Sequence, residues 1–173
     1  MTADPVTAAG EPWLFTARSE DDTEDLGRSL GKALAQGGVV ALVGSLGAGK
    51  TRLVQAIACA LGADRRTVNS PTFILIQEYD ARLPIFHCDT YRLRSVDEFL
   101  DLGIDEAFQS AGVCLIEWAD HVAAVLPDDR LQIEIEVLGA TERQFAMTAL
   151  GRRSGEILDQ ARALFIAAAP PRA

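Results

Sequence analysis

A glycine-rich run of eight residues has the composition and spacing of a phosphate-binding loop. Gly44-Ser45-Leu46-Gly47-Ala48-Gly49-Lys50-Thr51 matches the pattern G-x-x-x-x-G-K-[ST] at every fixed position. Glycines let backbone N–H groups turn toward phosphate oxygens, the lysine reaches the terminal phosphates, and the last hydroxyl can ligate Mg²⁺. We therefore predict that ATP and Mg²⁺ bind here, with nucleotide contacts from Ser45, Leu46, Gly47, Ala48, Gly49, Lys50, Thr51 and Arg52.

The residues on either side of this loop supply the context that such a loop requires. Residues 39–43 form an uninterrupted apolar run, which is typical of a strand buried on both faces. Leu53, Ile57 and Leu61 then recur at helical spacing before Gly62. The start of that helix would direct its positive dipole end at the same phosphates. A plain glycine turn between strand and helix would not need lysine followed by threonine.

A P-loop site also needs a carboxylate near its metal ion. Val113–Glu117 is an apolar run that ends in an acid. Because ligands of α/β proteins bind at the carboxyl ends of the strands, this acid is expected near the phosphates. We predict that Glu117 and Thr51 serve Mg²⁺, directly or through water. Trp118 could shield the site or contact the nucleotide, or it could have a plain packing role.

Another apolar run ends in His87-Cys88-Asp89-Thr90-Tyr91-Arg92, which places an imidazole, a carboxylate and a guanidinium within six residues. Asp89 could orient the attacking water or serve the metal ion. Arg92 could offset negative charge or pair with an acid, and His87 is expected to be a structural residue. The predicted catalytic set is Lys50, Asp89 and Glu117.

The segment Ser70-Pro71-Thr72 follows the first helix after the P-loop. Thr72 could sense the γ-phosphate, as residues of ordered switch loops do. It could equally belong to a proline-fixed turn that leads into a strand.

The elements that must position these groups follow from hydrophobic periodicity. Helices are predicted after Ser19, after the P-loop, after Ser95, and from about Gly155 to Ala168. Strands are predicted over residues 14–16, 39–43, 73–79, 84–89, 113–117, 131–137 and 145–149. The last two alternate apolar with polar residues around a turn and predict an antiparallel hairpin. The sum is an α/β, three-layer P-loop NTPase fold with a mixed parallel and antiparallel central sheet. Residues 1–12 are predicted to be a flexible leader, 13–168 a single P-loop ATPase domain and 169–173 a tail.

The composition argues against some classes of function. The chain has 173 residues and a formal net charge of −9, so a surface that grips nucleic acid on its own is unexpected. No apolar run approaches the ~18–20 residues of a membrane span, and the N-terminus lacks the features of a signal peptide. Three widely spaced cysteines are expected to be buried thiols in a reducing compartment. We predict a cytoplasmic protein.

Several blocks in their order resemble the bacterial TsaE family, the ATPase of tRNA threonylcarbamoyladenosine biosynthesis. They are the P-loop, Ser70-Pro71-Thr72-Phe73 with Tyr79, the run H-x-D-x-Y-R-L from His87, and Ile116-Glu117-Trp118. The resemblance covers roughly residues 14–150. Ser45, Cys88 and Ala119 depart from the residues that this family usually has.

The resemblance implies the partner proteins TsaD and TsaB, and contact with tRNA only through their complex. It implies that the chain hydrolyses ATP to reset this complex between turnovers and does not itself transfer the threonylcarbamoyl group. Lys50 would then bind phosphate, Thr51 and Glu117 would serve Mg²⁺, and Asp89 would be needed for hydrolysis. Thr72 would be a switch-like residue, and Trp118 a neighbour of the nucleotide.

Three other functions share part of this pattern. A small-molecule kinase would need an acceptor site and an arginine-bearing lid, and residues 97–110 contain no arginine. A GTPase would need an N-K-x-D loop, which cannot exist because the only lysines are Lys32 and Lys50. A non-catalytic, nucleotide-dependent docking module would share the phosphate loop but lack turnover.

Overall fold

A computed structural model describes residues 10–168 of the chain. The predicted leader and tail therefore fall largely outside the described residues. The strands are β1 (Trp13–Ala17), β2 (Val39–Gly44), β3 (Ile76–Tyr79), β4 (Ile85–Asp89), β5 (Val113–Glu117), β6 (Leu131–Val137) and β7 (Arg143–Ala149). The helices are α1 (Glu20–Ala33), α2 (Lys50–Leu61), α3 (Val96–Leu100), α4 (Ile104–Gln109), α5 (Arg152–Ala168) and a 3₁₀ segment (Ala119–Val125).

The seven strands form one mixed sheet in the order β1-β7-β6-β2-β5-β4-β3. The four central strands are parallel, with β2 between β5 and β6 and with β4 beside β5. The pair β6–β7 is antiparallel, as are β1–β7 and β3–β4 at the two edges. This arrangement confirms the predicted α/β fold with a mixed sheet.

Two hydrophobic cores lie on opposite faces of the sheet. The larger one joins α1, α2 and α5 to residues such as Leu42, Ile85 and Leu115. The smaller one joins α3, α4 and the 3₁₀ segment to the alternate residues, such as Ala41 and Ile116. Because successive side chains of a strand point to opposite faces, both faces of the central strands are apolar, and the predicted three-layer arrangement is confirmed.

Helices α1 and α2 approach each other closely, and glycine makes the approach possible. A Cβ at Gly31 would lie 2.5 Å from the carbonyl oxygen of Ile57, and one at Gly27 would collide with the Cβ of Ala56. Lys50 and Thr51 open α2, so this contact helps to fix the part of the site that they form.

Ser19 caps the start of α1. The Ser19 side chain accepts a hydrogen bond from the Asp22 N–H, and the Asp22 carboxylate accepts one from the Ser19 N–H. Together they satisfy two backbone groups that a helix start leaves without partners. Of the helices within residues 10–168, none combines the length and the apolar character needed to cross a lipid bilayer.

Three sequence predictions about elements were wrong in detail. The strand predicted over residues 73–79 begins only at Ile76, because the 70–75 loop turns back on itself and Leu75 has a φ of 70°. The last helix begins at Arg152, three residues before Gly155, because the Asp129 carboxylate accepts bonds from the first N–H groups of that helix. Helix α4 and the 3₁₀ segment were not predicted.

All three cysteines are free, but Cys59 is only partly buried, whereas all three were expected to be buried.

Candidate nucleotide-binding site

The glycine-rich loop connects β2 to α2 and forms an open cradle. Gly47 and Gly49 have φ values of 75° and 103°, which strongly favour glycine. A Cβ at either position would have no atom within 4 Å, so the space in front of the loop is free for a ligand. Helix α2 begins directly after Gly49, and its first N–H groups are available to phosphate oxygens.

Lys50 lies almost fully inside the protein, with 4% of its surface exposed. Its Nζ donates hydrogen bonds to the carbonyl oxygens of Gly44 at 2.7 Å and Ser45 at 2.9 Å. Burial lowers the pKa of Lys50, and the nearby carboxylates of Glu117 and Asp89 partly oppose that shift. The ammonium is thus a charged donor that lies at the P-loop, close to where phosphate would lie.

Two acids meet at the carboxyl ends of neighbouring parallel strands. Asp89 ends β4 and Glu117 ends β5, and the two residues are partners in the strand register. Both are buried, with exposures of 3% and 2%. The structure therefore places both acids at the edge of the sheet where the P-loop lies, as predicted.

Glu117 accepts a hydrogen bond from the first turn of α2. The Thr51 hydroxyl donates to Glu117 Oε2 at 2.8 Å. A hydroxyl and a carboxylate oxygen are hard ligands of the kind that Mg²⁺ takes, and Mg²⁺ commonly completes its shell with water and substrate phosphate. The oxygen atoms of Thr51 and Glu117 therefore fit an Mg²⁺ ion.

The second oxygen of Glu117 faces a histidine. His87 Nε2 lies 2.8 Å from Glu117 Oε1, and the Tyr79 hydroxyl lies 3.2 Å from His87 Nδ1. From its sequence context alone, His87 is expected to have only a structural role. The signal that could have found it is strand alternation, because His87 and Asp89 are two residues apart on β4 and share one face.

Asp89 holds the 70–75 loop against the site. Its Oδ2 accepts bonds from Ser70 Oγ at 2.8 Å and Thr72 Oγ1 at 2.7 Å, and its Oδ1 accepts one from the Tyr91 N–H at 2.9 Å. Beyond Thr72 the loop exposes 83% of Phe73. Thr72 thus lies beside Asp89, at the position expected of a residue that senses the γ-phosphate.

The guanidinium of Arg92 lies outside this group. It stacks on Phe73, with 4.3 Å between the guanidinium carbon and the ring centre. This contact with Phe73 takes the place of the pairing with an acid, and the role of offsetting negative charge stays a prediction.

Trp118 forms one wall of the site. Its backbone is left-handed, with a φ of 58°, and Thr90 Oγ1 donates to the carbonyl oxygens of Glu117 and Trp118 at 3.1 and 2.6 Å. The indole ring lies over Lys50, with Nζ 3.6 Å from the ring centre, and it packs beside Tyr91. A left-handed backbone conformation is uncommon at a tryptophan, and such a conformation often marks a functional position.

These residues line a cleft of about 350 Å³. Its lining contains nearly all of the predicted site residues, namely Leu46, Gly47, Ala48, Gly49, Lys50, Thr51, Arg52, Thr72, Asp89, Glu117 and Trp118. Ser45 is not part of the lining, although its carbonyl oxygen accepts a bond from Lys50.

A second depression, of about 320 Å³, adjoins the first across the P-loop. It shares Gly47, Ala48, Gly49 and Arg52 with the cleft and extends toward Ser19, Thr23, Ala140, Thr141 and Arg143. The two together offer space on both sides of the phosphate loop. Arg52 reaches both and is held by Glu20 and Glu24 of α1, at 2.8 and 3.1 Å.

Arg143 supports the P-loop from the side of the second depression and was not predicted. It begins β7, and its Nε donates to the Ala48 carbonyl oxygen at 3.1 Å, while Nη1 donates to the Gly139 carbonyl oxygen at 2.8 Å. The side chain of Arg143 therefore links the β6–β7 hairpin to the phosphate loop by hydrogen bonds. No signal in the sequence indicates this contact, because the partners lie 95 residues apart.

Comparison with known proteins gives a consistent result. A family model described as "Threonylcarbamoyl adenosine biosynthesis protein TsaE" matches residues 17–145. The tRNA threonylcarbamoyladenosine biosynthesis protein TsaE of Bacillus subtilis (strain 168) is 45% identical over 134 residues, which are 77% of this chain and 83% of the relative. The protein of the same name from Treponema pallidum (strain Nichols) is 40% identical over 131 residues, 76% of this chain and 96% of the relative. The crystal structure of Bacillus subtilis YdiB superposes with a TM-score of 0.75 at 33% identity and covers 88% of this chain and 95% of that one.

Proposed function

The chain belongs to the TsaE family of threonylcarbamoyl adenosine biosynthesis proteins, and we propose that it is the ATP-hydrolysing component of this tRNA modification. Membership confirms the resemblance seen in the motifs. The observation that carries the proposal of hydrolysis is the meeting of Thr51 and Glu117, at 2.8 Å, beside the buried Lys50 and Asp89. A phosphate cradle, a metal carboxylate and a second buried acid are the parts that P-loop hydrolysis uses.

We assign the roles as follows. Lys50 leaves the carbonyl oxygens of Gly44 and Ser45 to bind phosphate oxygens of ATP. Thr51 and Glu117 hold Mg²⁺, which would neutralise charge on the transferred phosphoryl group. The nucleoside end of ATP would extend into the depression between Ser19 and Arg143, since the two spaces share the P-loop. Trp118 covers the lysine and limits the access of water.

Asp89 is the residue that we assign to the attacking water. Its carboxylate is buried, lies beside Glu117 in the register, and is bonded to Ser70 and Thr72 of a loop that borders the cleft. A positioned carboxylate can orient a water molecule and accept its proton. A change in the 70–75 loop would alter the hydrogen bonds of Asp89, so the loop offers a route by which a partner could control hydrolysis.

The proposal includes the TsaD and TsaB proteins as partners, a cytoplasmic location, and contact with tRNA only through their complex. The net charge of −9 supports indirect contact, because a protein that bound tRNA alone would need basic surface. We expect weak hydrolysis by the isolated chain and faster hydrolysis on the TsaD–TsaB complex. Activating partners commonly order loops or add charge at P-loop sites.

Reconstitution of the pathway tests this proposal. TsaD, TsaB, tRNA, ATP and a supply of the activated threonylcarbamoyl donor are combined with the wild-type chain, with Asp89→Ala, or with no addition. Asp159→Ala, an exposed aspartate on α5, serves as the matched control. We expect repeated rounds of modification with the wild type and the control, and a halt with Asp89→Ala although it still assembles. Many rounds of modification without this chain would refute the proposed role.

A further inference from the structure

The two oxygens of the Glu117 carboxylate have separate partners. Oε2 accepts the Thr51 hydroxyl, on the side of the P-loop, and Oε1 faces His87 Nε2 at 2.8 Å. His87 is fully buried, with 0% of its surface exposed. Only Oε2 therefore lies on the side from which a cation would be ligated, while Oε1 is held from inside the protein.

The direction of this bond follows from the chemistry of the carboxylate. An ionised carboxylate can only accept hydrogen bonds, so Nε2 carries a proton and its N–H donates the hydrogen bond to Oε1. In a neutral ring Nδ1 is then an acceptor, and the Tyr79 hydroxyl stands 3.2 Å away as its donor. The result is a buried chain from Tyr79 through His87 to Glu117.

The tyrosine is the weaker member of this chain. Its hydroxyl has one proton, and the Asn69 carbonyl oxygen lies as close as His87 Nδ1, at 3.2 Å, with Gln77 Oε1 at 3.3 Å. The bond from His87 to Glu117 is shorter and has a charged acceptor, which makes it the stronger one. Removal of the His87 side chain should thus disturb the Glu117 carboxylate more than removal of the Tyr79 hydroxyl.

We propose that His87 is a positioning residue for Mg²⁺, which fixes the rotation of the Glu117 carboxylate so that Oε2 faces the cation, and that Tyr79 orients the His87 ring. This inference rests on the proposed binding of Mg²⁺ with the nucleotide. Hydrogen-bond partners of metal ligands typically contribute about 10–100-fold in metal affinity or activity. A histidine that only filled space in the core would not affect the metal ion in this selective way.

The test measures binding of ADP by calorimetry, first in EDTA and then over a series of Mg²⁺ concentrations. The variants are His87→Leu, which removes the donor, His87→Gln, whose amide nitrogen can reach the position of Nε2, and Tyr79→Phe. We expect the Mg²⁺ concentration for half-maximal effect to rise about tenfold or more in His87→Leu and only a few-fold in Tyr79→Phe. His87→Gln should restore most of the difference, and ADP affinity in EDTA should stay at the wild-type value in all three.

A wild-type Mg²⁺ requirement in His87→Leu would overturn the proposal, as would equal losses in His87→Leu and His87→Gln. If His87→Leu does not fold, the remaining two variants decide, since an unchanged Mg²⁺ requirement in Tyr79→Phe together with a tenfold rise in His87→Gln also contradicts it. A wild-type chain whose ADP binding ignores Mg²⁺ would instead refute the proposed function.

Discussion

Replacement of Glu117 by glutamine and by alanine should have very different effects on stability but the same effect on the metal ion. The glutamine amide oxygen can still accept from His87 Nε2, and its amide nitrogen can donate to the Thr51 hydroxyl. Alanine keeps neither contact. The pair of variants therefore separates the charge of Glu117 from its place in the hydrogen-bond network.

The structure sets the size of the difference in stability. Alanine leaves the His87 N–H without its acceptor in a buried place and removes the acceptor of Thr51. Each buried polar group without a partner costs about 1–3 kcal/mol. Because Thr51 borders the cleft, water can serve its hydroxyl and the cost falls mainly on the His87 N–H, so we expect a total of about 1–3 kcal/mol. In a protein of this size that lowers Tm by on the order of 2–12 °C. The glutamine variant should stay within about 1 kcal/mol of the wild type.

The assay combines thermal unfolding with ADP binding in EDTA and in Mg²⁺. Both variants should lose the effect of Mg²⁺ on ADP affinity, because the anionic ligand is absent, and both should hydrolyse ATP at least ~10²-fold more slowly. In EDTA the glutamine variant should bind ADP at least as tightly as the wild type, since a negative charge near the phosphates has been removed.

Two results would refute this reasoning. A glutamine variant that keeps the full effect of Mg²⁺ would show that the charge of Glu117 does not hold the cation. An alanine variant as stable as the glutamine one would show that the bonds to His87 and Thr51 contribute nothing to the folded state.

Three further predictions concern the phosphate loop, the base and a helix cap. Lys50→Ala should slow hydrolysis by on the order of 10²–10³-fold, because a buried charge and its donors leave the site; steady-state phosphate release measures this, and a wild-type rate would contradict the assignment. ATP should bind more tightly than GTP, since the chain has no N-K-x-D loop, and a competition titration in which GTP displaces ATP equally well would exclude that. Ser19→Ala should reduce the free energy of unfolding by about 0.5–2 kcal/mol in urea titrations through loss of the α1 cap, whereas a change in the neighbouring exposed Asp21 should have a smaller effect.

The core of the site could be predicted because it depends on strand ends. The P-loop, Asp89 and Glu117 each follow an apolar run, and parallel strands bring their carboxyl ends to one edge of the sheet. Only chain order and burial are needed for that inference. The strand register then pairs Asp89 with Glu117. Hydrophobic periodicity alone does not determine which residues of two strands are paired.

Other parts of the site depend on contacts between distant segments. Residues 73–75 are apolar or β-branched in pattern and predict a strand, but the bonds from Ser70 and Thr72 to Asp89 draw this loop into a turn. Arg143 reaches the P-loop only after the sheet has formed. The role of His87 depends on which oxygen of Glu117 it meets, and no local pattern determines this.

The glycines at which α1 and α2 touch extend the restriction on sequence change well beyond the nucleotide. A methyl group at Gly31 would meet the Ile57 carbonyl oxygen, so α2 would have to shift, and Lys50 and Thr51 would move with it. Selection for ATP binding would therefore act on two positions, Gly27 and Gly31, that do not line the cleft. Invariance of these glycines among relatives would record the alignment of a helix, and it would be mistaken for contact with a ligand if conservation alone were used to map the site.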